Sequence, residues 1–272
     1  MPIKGFTNPL SPNGRAQLVE PLPHHISADA IRVLFRAGEA TARAYLPEGL
    51  EPVEGGLGYA YVADMVKVSA DEPDQTFLNP ERTQYGEGII GFYCRRGETF
   101  GRFSAFIWVT EDWSMFFGQL MGWAKKMGEV RRTHLNPFNP GMTGYGPGAR
   151  LSGQVHRRGH MLFRIGVEVE RSVEPSEMPA YGDRGFMVRY LPSIGPQLPE
   201  IHQLLSLKLK AVKTGDVFTG RPTMQIGTSD NEDLDGLHSV ELVSGWAFKQ
   251  GWTTDASVEL VHDYSLATAR TK

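Results

Sequence analysis

Short stretches in which apolar and polar residues alternate recur along nearly the whole chain, and this period of two constrains the fold more than any other feature. IRVLFRA (31–37), GYAYVADMVKVSA (58–70), YGEGIIGFYC (85–94) and RFSAFIWVT (102–110) are rich in β-branched and aromatic residues. Strand-like stretches resume at 149–155, 160–170, 185–191, 204–214, 223–228, 239–248 and 257–264, and several alternate at period two, as in SLKLKAV and SVELV. Such alternation predicts half-buried antiparallel strands. VHRRGHML places a hairpin turn at Arg157–Gly159 between two of them. Helical signals are confined to EATARAYL (39–46), closed by Pro47 and Gly49, and to EDWSMFFGQLMGW (111–123), with acids at its start. Many strands and few short helices predict a mainly β chain, a large antiparallel barrel or sandwich. No repeat, linker or composition shift divides it. One domain is expected over 1–272, with a Pro-rich arm at 1–26 and the β structure at 27–272.

The balance of charges narrows the partners. A net charge of −3 offers no basic face for nucleic acid. No run approaches the 18 or so apolar residues of a membrane span, and the Pro-rich N-terminus lacks the apolar core of a signal peptide. Neither a nucleic acid nor a membrane is therefore expected as a partner. The single cysteine, Cys94, excludes an internal disulfide and reads as a small buried apolar residue in IIGFYCRR. These features together predict a cytoplasmic protein.

Several chemical motifs fail on inspection. In TSDNEDLDGLH (228–238) the acids mimic the start of a calcium loop, but the position of the bidentate glutamate is Leu242. That segment is expected to be a solvated acidic loop. GMTGYGPGAR (141–150) has no lysine placed for a phosphate loop. His156 and His160 flank the hairpin turn, so their spacing of four does not imply a shared metal. There is no GxSxG nucleophile elbow.

GWAKKMGEV (122–130) is different, because two lysines follow an apolar run. If WAKKMG is extended, Trp123, Lys125 and Met127 share one face while Ala124 and Lys126 share the other. Inside a barrel, Lys125 would lie between an indole and a thioether, where desolvation favours the neutral amine. A second ammonium nearby would push the same way. The alternation nevertheless points Lys126 to the opposite side, so desolvation carries the larger share. A neutral lysine amine can condense with a ketone to form an imine.

At this point the chain resembles the acetoacetate decarboxylase-like family. FGQLMGWAKK (117–126) is similar to that family's G-R-E-x-x-x-Y-P-K-K, which sets Lys125 as the Schiff-base lysine and Lys126 as its activating neighbour. FRAGEATARAYLPEGLEP (35–52) resembles the family's strand, short helix and turn. QYGEG (84–88) resembles its Y-x-E segment and sets the active-site glutamate at Glu87. FTGRPTMQI (218–226) and VELVHDY (258–264) resemble its closing strands. The resemblance covers most of residues 30 to 265 and implies a cone-like β-barrel, a homo-oligomer, a small-molecule oxo acid as substrate, and no cofactor or metal.

The departures bear on function. The family's Arg-Glu pair becomes Gly118 and Gln119, and its proline becomes Ala124. A family arginine falls on Ala28 and a second glutamate near Tyr61; Arg32, Arg36 or an arm histidine are the candidate substitutes. Phe103, Trp108, Phe116, Phe117 and Trp123 suggest a site reshaped for a bulkier substrate, if they line it rather than the core. Three functions follow. The first is decarboxylation of a 3-oxo acid through an imine at Lys125, with Glu87 as proton carrier or polar partner. The second is a pyruvate aldolase–dehydratase, or a hydratase of an unsaturated 2-oxo acid, using the same lysine. The third is a non-catalytic barrel that binds an apolar small molecule.

Overall fold

The computed structural model describes residues 2–265. Its elements in chain order are β1 (His24–Arg36), α1 (Glu39–Tyr45), β2 (Glu51–Pro52), β3 (Leu57–Ser69), α2 (Gln75–Leu78), β4 (Gln84–Arg96), β5 (Thr99–Val109), α3 (Asp112–Met121), β6 (Lys125–Met127) and β7 (Glu129–Arg132). There follow β8 (Arg150–Arg157), β9 (His160–Val173), β10 (Arg184–Leu191), β11 (Ile201–Lys208), β12 (Lys210–Ile226), β13 (Glu241–Thr254) and β14 (Glu259–Asp263). The mainly β expectation holds. One sheet runs in the order β14-β11-β10-β5-β4-β3-β1-β13-β12-β9-β8-β7, with β2 added beside β4 and β6 beside β5.

The sheet refines the expected barrel in two ways. Its pairings are antiparallel except at β10–β5 and β5–β6. The second exception has a local cause: α3 carries the chain back between β5 and β6, and a helical crossover makes neighbouring strands parallel. The sheet also wraps over itself without its end strands β14 and β7 pairing, among the described residues. Instead, Val130 of β7 and Val155 of β8 lie directly against Gly86 and Gly88 of β4, and Gly153 of β8 lies against Val62 of β3.

Wrapping buries the central strands on both faces. Ile31, Val33, Phe35, Ala60, Val62, Ile90, Phe92 and Trp108 pack with Leu151, Val155, Phe163, Ile165 and Val167 of the overlying strands. On the opposite face, Ala30, Tyr59, Ala63, Met65, Tyr85 and Ile107 meet Trp113, Phe117 and Met121 of α3, together with Leu207, Trp246 and Phe248. The alternation within each strand sorts its side chains between these two cores.

Predicted boundaries shift modestly. The helix expected at 111–123 spans Asp112–Met121, buries Trp113, Ser114, Phe117, Gly118 and Met121, and ends on Gly122 at φ 96°. That left-handed turn favours glycine and stops the helix. The strand expected at 204–214 divides at Leu209 into β11 and β12, which lie in different parts of the sheet. Between β8 and β9, Arg158 (φ 50°) and Gly159 (φ 83°) form a two-residue turn within the expected 157–159. Residues 228–238 are not simply a solvated loop: Glu232, Leu234 and Leu237 are buried. Cys94 is fully buried, and burial pushes its thiol up to about 12.

Candidate active site

Strand register brings the candidate residues to one face. Arg32 of β1 pairs with Tyr61 of β3, Tyr61 with Ile89 of β4, Ile89 with Ile107 of β5, and Ile107 with Lys125 of β6. All five side chains line one cavity of about 140 Å³. A single water needs roughly 10–15 Å³ on this measure, so the space suits a small organic acid. Phe117 and Trp123 also line it. Phe116 is partly buried beside the same core, whereas Trp108 belongs to the opposite one and Phe103 to a third cluster. The aromatic wall is therefore made of other residues than the sequence suggested: besides Phe117 and Trp123 it includes Tyr59, Tyr61, Tyr85, Tyr93, Phe186, Phe248 and Trp252.

Lys125 is held by the turn after α3. Its N–H donates to the Trp123 carbonyl at 2.8 Å, and Gln119 Nε2 donates to the Lys125 carbonyl at 2.9 Å. Gly118 lets the helix sit against the lysine stem, since a Cβ there would lie 2.5 Å from Lys125 Cγ and Cδ. Two of the departures from the family motif, Gly118 and Gln119, thus position this lysine. The side chain is 6% exposed. Its Nζ lies 2.7 Å from Glu87 Oε2, donates to Ser114 Oγ at 3.1 Å, and stands 5.2 Å from the centre of the Tyr85 ring. That Glu87 oxygen has no other polar partner among the described residues.

Lys125 and Glu87 are thus brought together, and Lys126 is not. Lys126 points to the other side of β6, where its ammonium meets Glu232 and lies 5.8 Å from each of the Phe106 and Trp108 rings. Glu232 also lies 3.2 Å from Arg157 Nε. The charge of Lys126 is therefore countered on the far side of the strand, the side to which the alternation in WAKKMG assigns it. Glu232 gave no recognisable signal, because its loop reads as a generic acidic run.

Other polar groups complete the cavity. Burial, and then the charge of Glu87, push the Tyr61 and Tyr85 phenols far above their ordinary values, so both stay protonated. Burial raises Tyr59 to about 12, and its hydroxyl shares a 2.9 Å hydrogen bond with Ser104 Oγ. Arg32 Nη1 donates to Tyr93 Oη at 3.3 Å, while its Nε and Nη2 are buried without a partner. Its guanidinium stands 5.3 Å from the centre of the Phe248 ring. Of the proposed substitutes for the missing family arginine, Arg32 is in the cavity. Arg36 instead donates to the Glu54 carbonyl at 2.8 Å, away from it. Ser114 and Arg102 were missed by sequence reasoning, since a lone serine or arginine carries no spacing signal.

The chain is similar to known proteins over nearly its whole length. The family model described as acetoacetate decarboxylase matches residues 7–265. An acetoacetate decarboxylase-like enzyme from Sphingomonas wittichii RW1 is 29% identical, with a TM-score of 0.90 over 96% of this chain and 100% of that one. The enduracididine biosynthesis enzyme MppR, complexed with the condensation product of pyruvate and imidazole 4-carboxaldehyde, is 26% identical with a TM-score of 0.88 over 97% and 98% of the two chains. A structure of acetoacetate decarboxylase from Legionella pneumophila, at 13% identity and a TM-score of 0.76 over 97% and 98%, shares the fold. Among curated proteins none matches.

Proposed function

The chain belongs to the acetoacetate decarboxylase family, and from that premise we propose that it is a lyase that forms an imine between Lys125 and the carbonyl of a small oxo acid. The buried contact of Lys125 Nζ with Glu87 Oε2, at 2.7 Å, carries this reading. Passing a proton from the ammonium to that carboxylate leaves a neutral amine facing the cavity. The amine attacks the carbonyl carbon, and loss of water gives the protonated imine. Ser114 then orients the nitrogen, and Glu87 is within reach to carry protons.

The cationic lining favours a reaction in which the substrate keeps its carboxylate. Arg32 has two buried nitrogens free to bind one. A guanidinium that grips a carboxylate stabilises the ground state, and loses that interaction as the group departs as CO2. A 2-oxo acid escapes this conflict. Glu87 removes a proton from the carbon beside the imine, the resulting enamine adds to an aldehyde, and loss of water followed by hydrolysis frees an unsaturated 2-oxo acid. The likeness to MppR, whose structure holds a pyruvate condensation product, supports the same order. Aldol condensation and dehydration is therefore placed ahead of the decarboxylation of a 3-oxo acid, reversing the sequence expectation. Family membership keeps decarboxylation as the second reading.

Incubation with pyruvate or acetoacetate, followed by borohydride, should leave a secondary amine on Lys125, located by fragmentation between Lys125 and Lys126. Lys125→Ala should abolish the adduct and Lys126→Ala should retain it. An adduct that survives Lys125→Ala would remove the imine reading. Product analysis then separates the two reactions: a condensed enone acid from pyruvate and an aldehyde, or CO2 from acetoacetate.

A further inference from the structure

The strand that carries the candidate nucleophile is very short. β6 spans Lys125–Met127 and pairs with β5 at Ile107, Trp108 and Val109. Its first two residues are both lysines, so the strand does not by itself decide which amine enters the cavity. A shift of one residue turns every side chain of a strand to its other face. Here it would bring Lys126 in and turn Lys125 out. The bonds that hold β6 do not distinguish the two registers, because they are made to main-chain atoms that any residue supplies. Gln119 Nε2 donates to the Lys125 carbonyl at 2.9 Å, Arg157 Nη1 donates to the Met127 carbonyl, and the Gly128 N–H donates to the Val109 carbonyl at 2.9 Å. Inside the cavity, Glu87 and Ser114 can receive either ammonium.

The outer face of β6 does distinguish them. Lys126 lies 5.8 Å from each of the Phe106 and Trp108 rings, and its ammonium meets Glu232. Among the four acids of residues 230–235, Asp230, Asp233 and Asp235 are exposed, whereas Glu232 is buried, its side chain 1% exposed. The other Glu232 oxygen lies 3.2 Å from Nε of Arg157, the residue that also holds the Met127 carbonyl. A carboxylate taken out of water in this way depends on the cations beside it. In the shifted register the Met127 thioether would stand where the Lys126 ammonium now meets Glu232. Met127 would also leave its packing in the cavity-side core. The wrong register therefore strips a buried carboxylate of one of its cations.

We propose that Glu232 is a positioning residue that selects which lysine reacts. By pairing with Lys126 on the outside of β6, it sets the register that delivers Lys125 to Glu87. That the inward amine forms an imine rests on the lyase reading above; which lysine points inward does not.

The test looks for reaction regained at the other lysine. Incubation with pyruvate or acetoacetate, then borohydride, should label Lys125 in the wild type and leave Lys125→Ala unlabelled. Adding Glu232→Gln to Lys125→Ala should recover an adduct on Lys126, because a neutral amide no longer penalises the shift. The yield should exceed that of Lys125→Ala by at least about ten-fold, the range for one hydrogen bond to a charged group. Lost stability alone does not create a new reactive lysine. A double variant that melts cooperatively and is as inert as Lys125→Ala overturns the proposal. A second variant retains Glu232 and so avoids any folding defect of Glu232→Gln. Lys125→Ala with Met127→Lys moves the lysine pair one residue along; the new lysine should take Glu232, and the adduct should form on Lys126. An adduct at position 127, or none, overturns the proposal. Absence of any adduct in the wild type overturns the lyase instead, and acetylation by acetic anhydride then reads the register without an imine. The ratio of labelling at Lys125 and Lys126 should move towards one in Glu232→Gln, and an unchanged ratio overturns the selection.

Discussion

Gly118 shows how a single missing side chain sets the chemistry of another residue. It stands inside α3, where glycine costs up to about 1 kcal/mol relative to alanine. The Cβ of Gly118→Ala would lie 2.5 Å from Lys125 Cγ and Cδ and 3.0 Å from its Cβ. The lysine stem must shift, and its amine then leaves its 2.7 Å contact with Glu87. Misplacing a reacting group by an ångström costs on the order of 100-fold in rate. We expect Gly118→Ala to lower the rate of borohydride trapping at Lys125 by at least about ten-fold, while a thermal melt changes little because the helix gains what the contact loses. Trapping at the wild-type rate would show that the stem adjusts freely. The sequence pointed to Lys125 through alternation and motif, and to Glu87 only through the likeness of QYGEG to the family's Y-x-E segment. It presented Gly118 only as a departure, since its reason is a contact between α3 and β6 that appears once the chain folds back.

At the scale of elements, the arm before β1 is tied down by one carboxylate. Glu20, 2% exposed, contacts Lys67 of β3 at 2.6 Å, receives Gln75 Nε2 of α2 at 2.9 Å and meets Arg82. Burial raises the Glu20 carboxyl, but Lys67 and Arg82 outweigh it and hold the group below its ordinary value. The Pro-rich composition announced an arm, whereas this anchor was illegible because its partners are 47 to 62 residues away. His24, the first residue of β1, is fully buried, with Nε2 donating to the Glu20 carbonyl at 3.0 Å and its ring 5.1 Å from that of Phe117. Burial, and then the charge of Lys67, lower it from 6.5 to about 4. The folded state holds His24 neutral, so between those values the unfolded chain binds the extra proton. His24 therefore contributes stability above pH 6.5 that is lost as pH falls through about 4, amounting to roughly 3 kcal/mol. The Glu20 carboxylate contributes in the same direction but at lower pH. Denaturant unfolding from pH 7 to 4 should show stability falling in the wild type and a flatter profile in His24→Gln. Identical slopes would place the acid sensitivity elsewhere.

For the whole molecule, the decisive feature is that one strand serves two cores through its backbone. On β4, Glu87 and Ile89 face the cavity, while Gly86 and Gly88 face β7 and β8. The β class was legible because period two is local. The wrapping was not, because pairing order depends on residues far apart and the strands that cover β4 carry no mark of their target. Gly88 tests that closeness. A Cβ there would sit 2.2 Å from Val155 Cγ2 and 3.4 Å from Phe163 Cζ. Relieving the first contact means moving β8 or β4, since Val155 is fully buried and cannot swing away. Alanine restrains the unfolded chain by about 0.4–1 kcal/mol relative to glycine, which is less than the 1–3 kcal/mol that overpacking costs. Gly88→Ala should therefore lose stability in urea with an unchanged slope, and slow trapping at Lys125 as Glu87 shifts with its strand. Val155→Ala alone should also destabilise by leaving a cavity. Combining the two should cost less than their sum, because the methyl added on β4 occupies space vacated on β8. Additive losses, or a Gly88→Ala protein as stable as wild type, would mean that β8 does not press on β4. The site would then owe its geometry to β5, β6 and α3 alone.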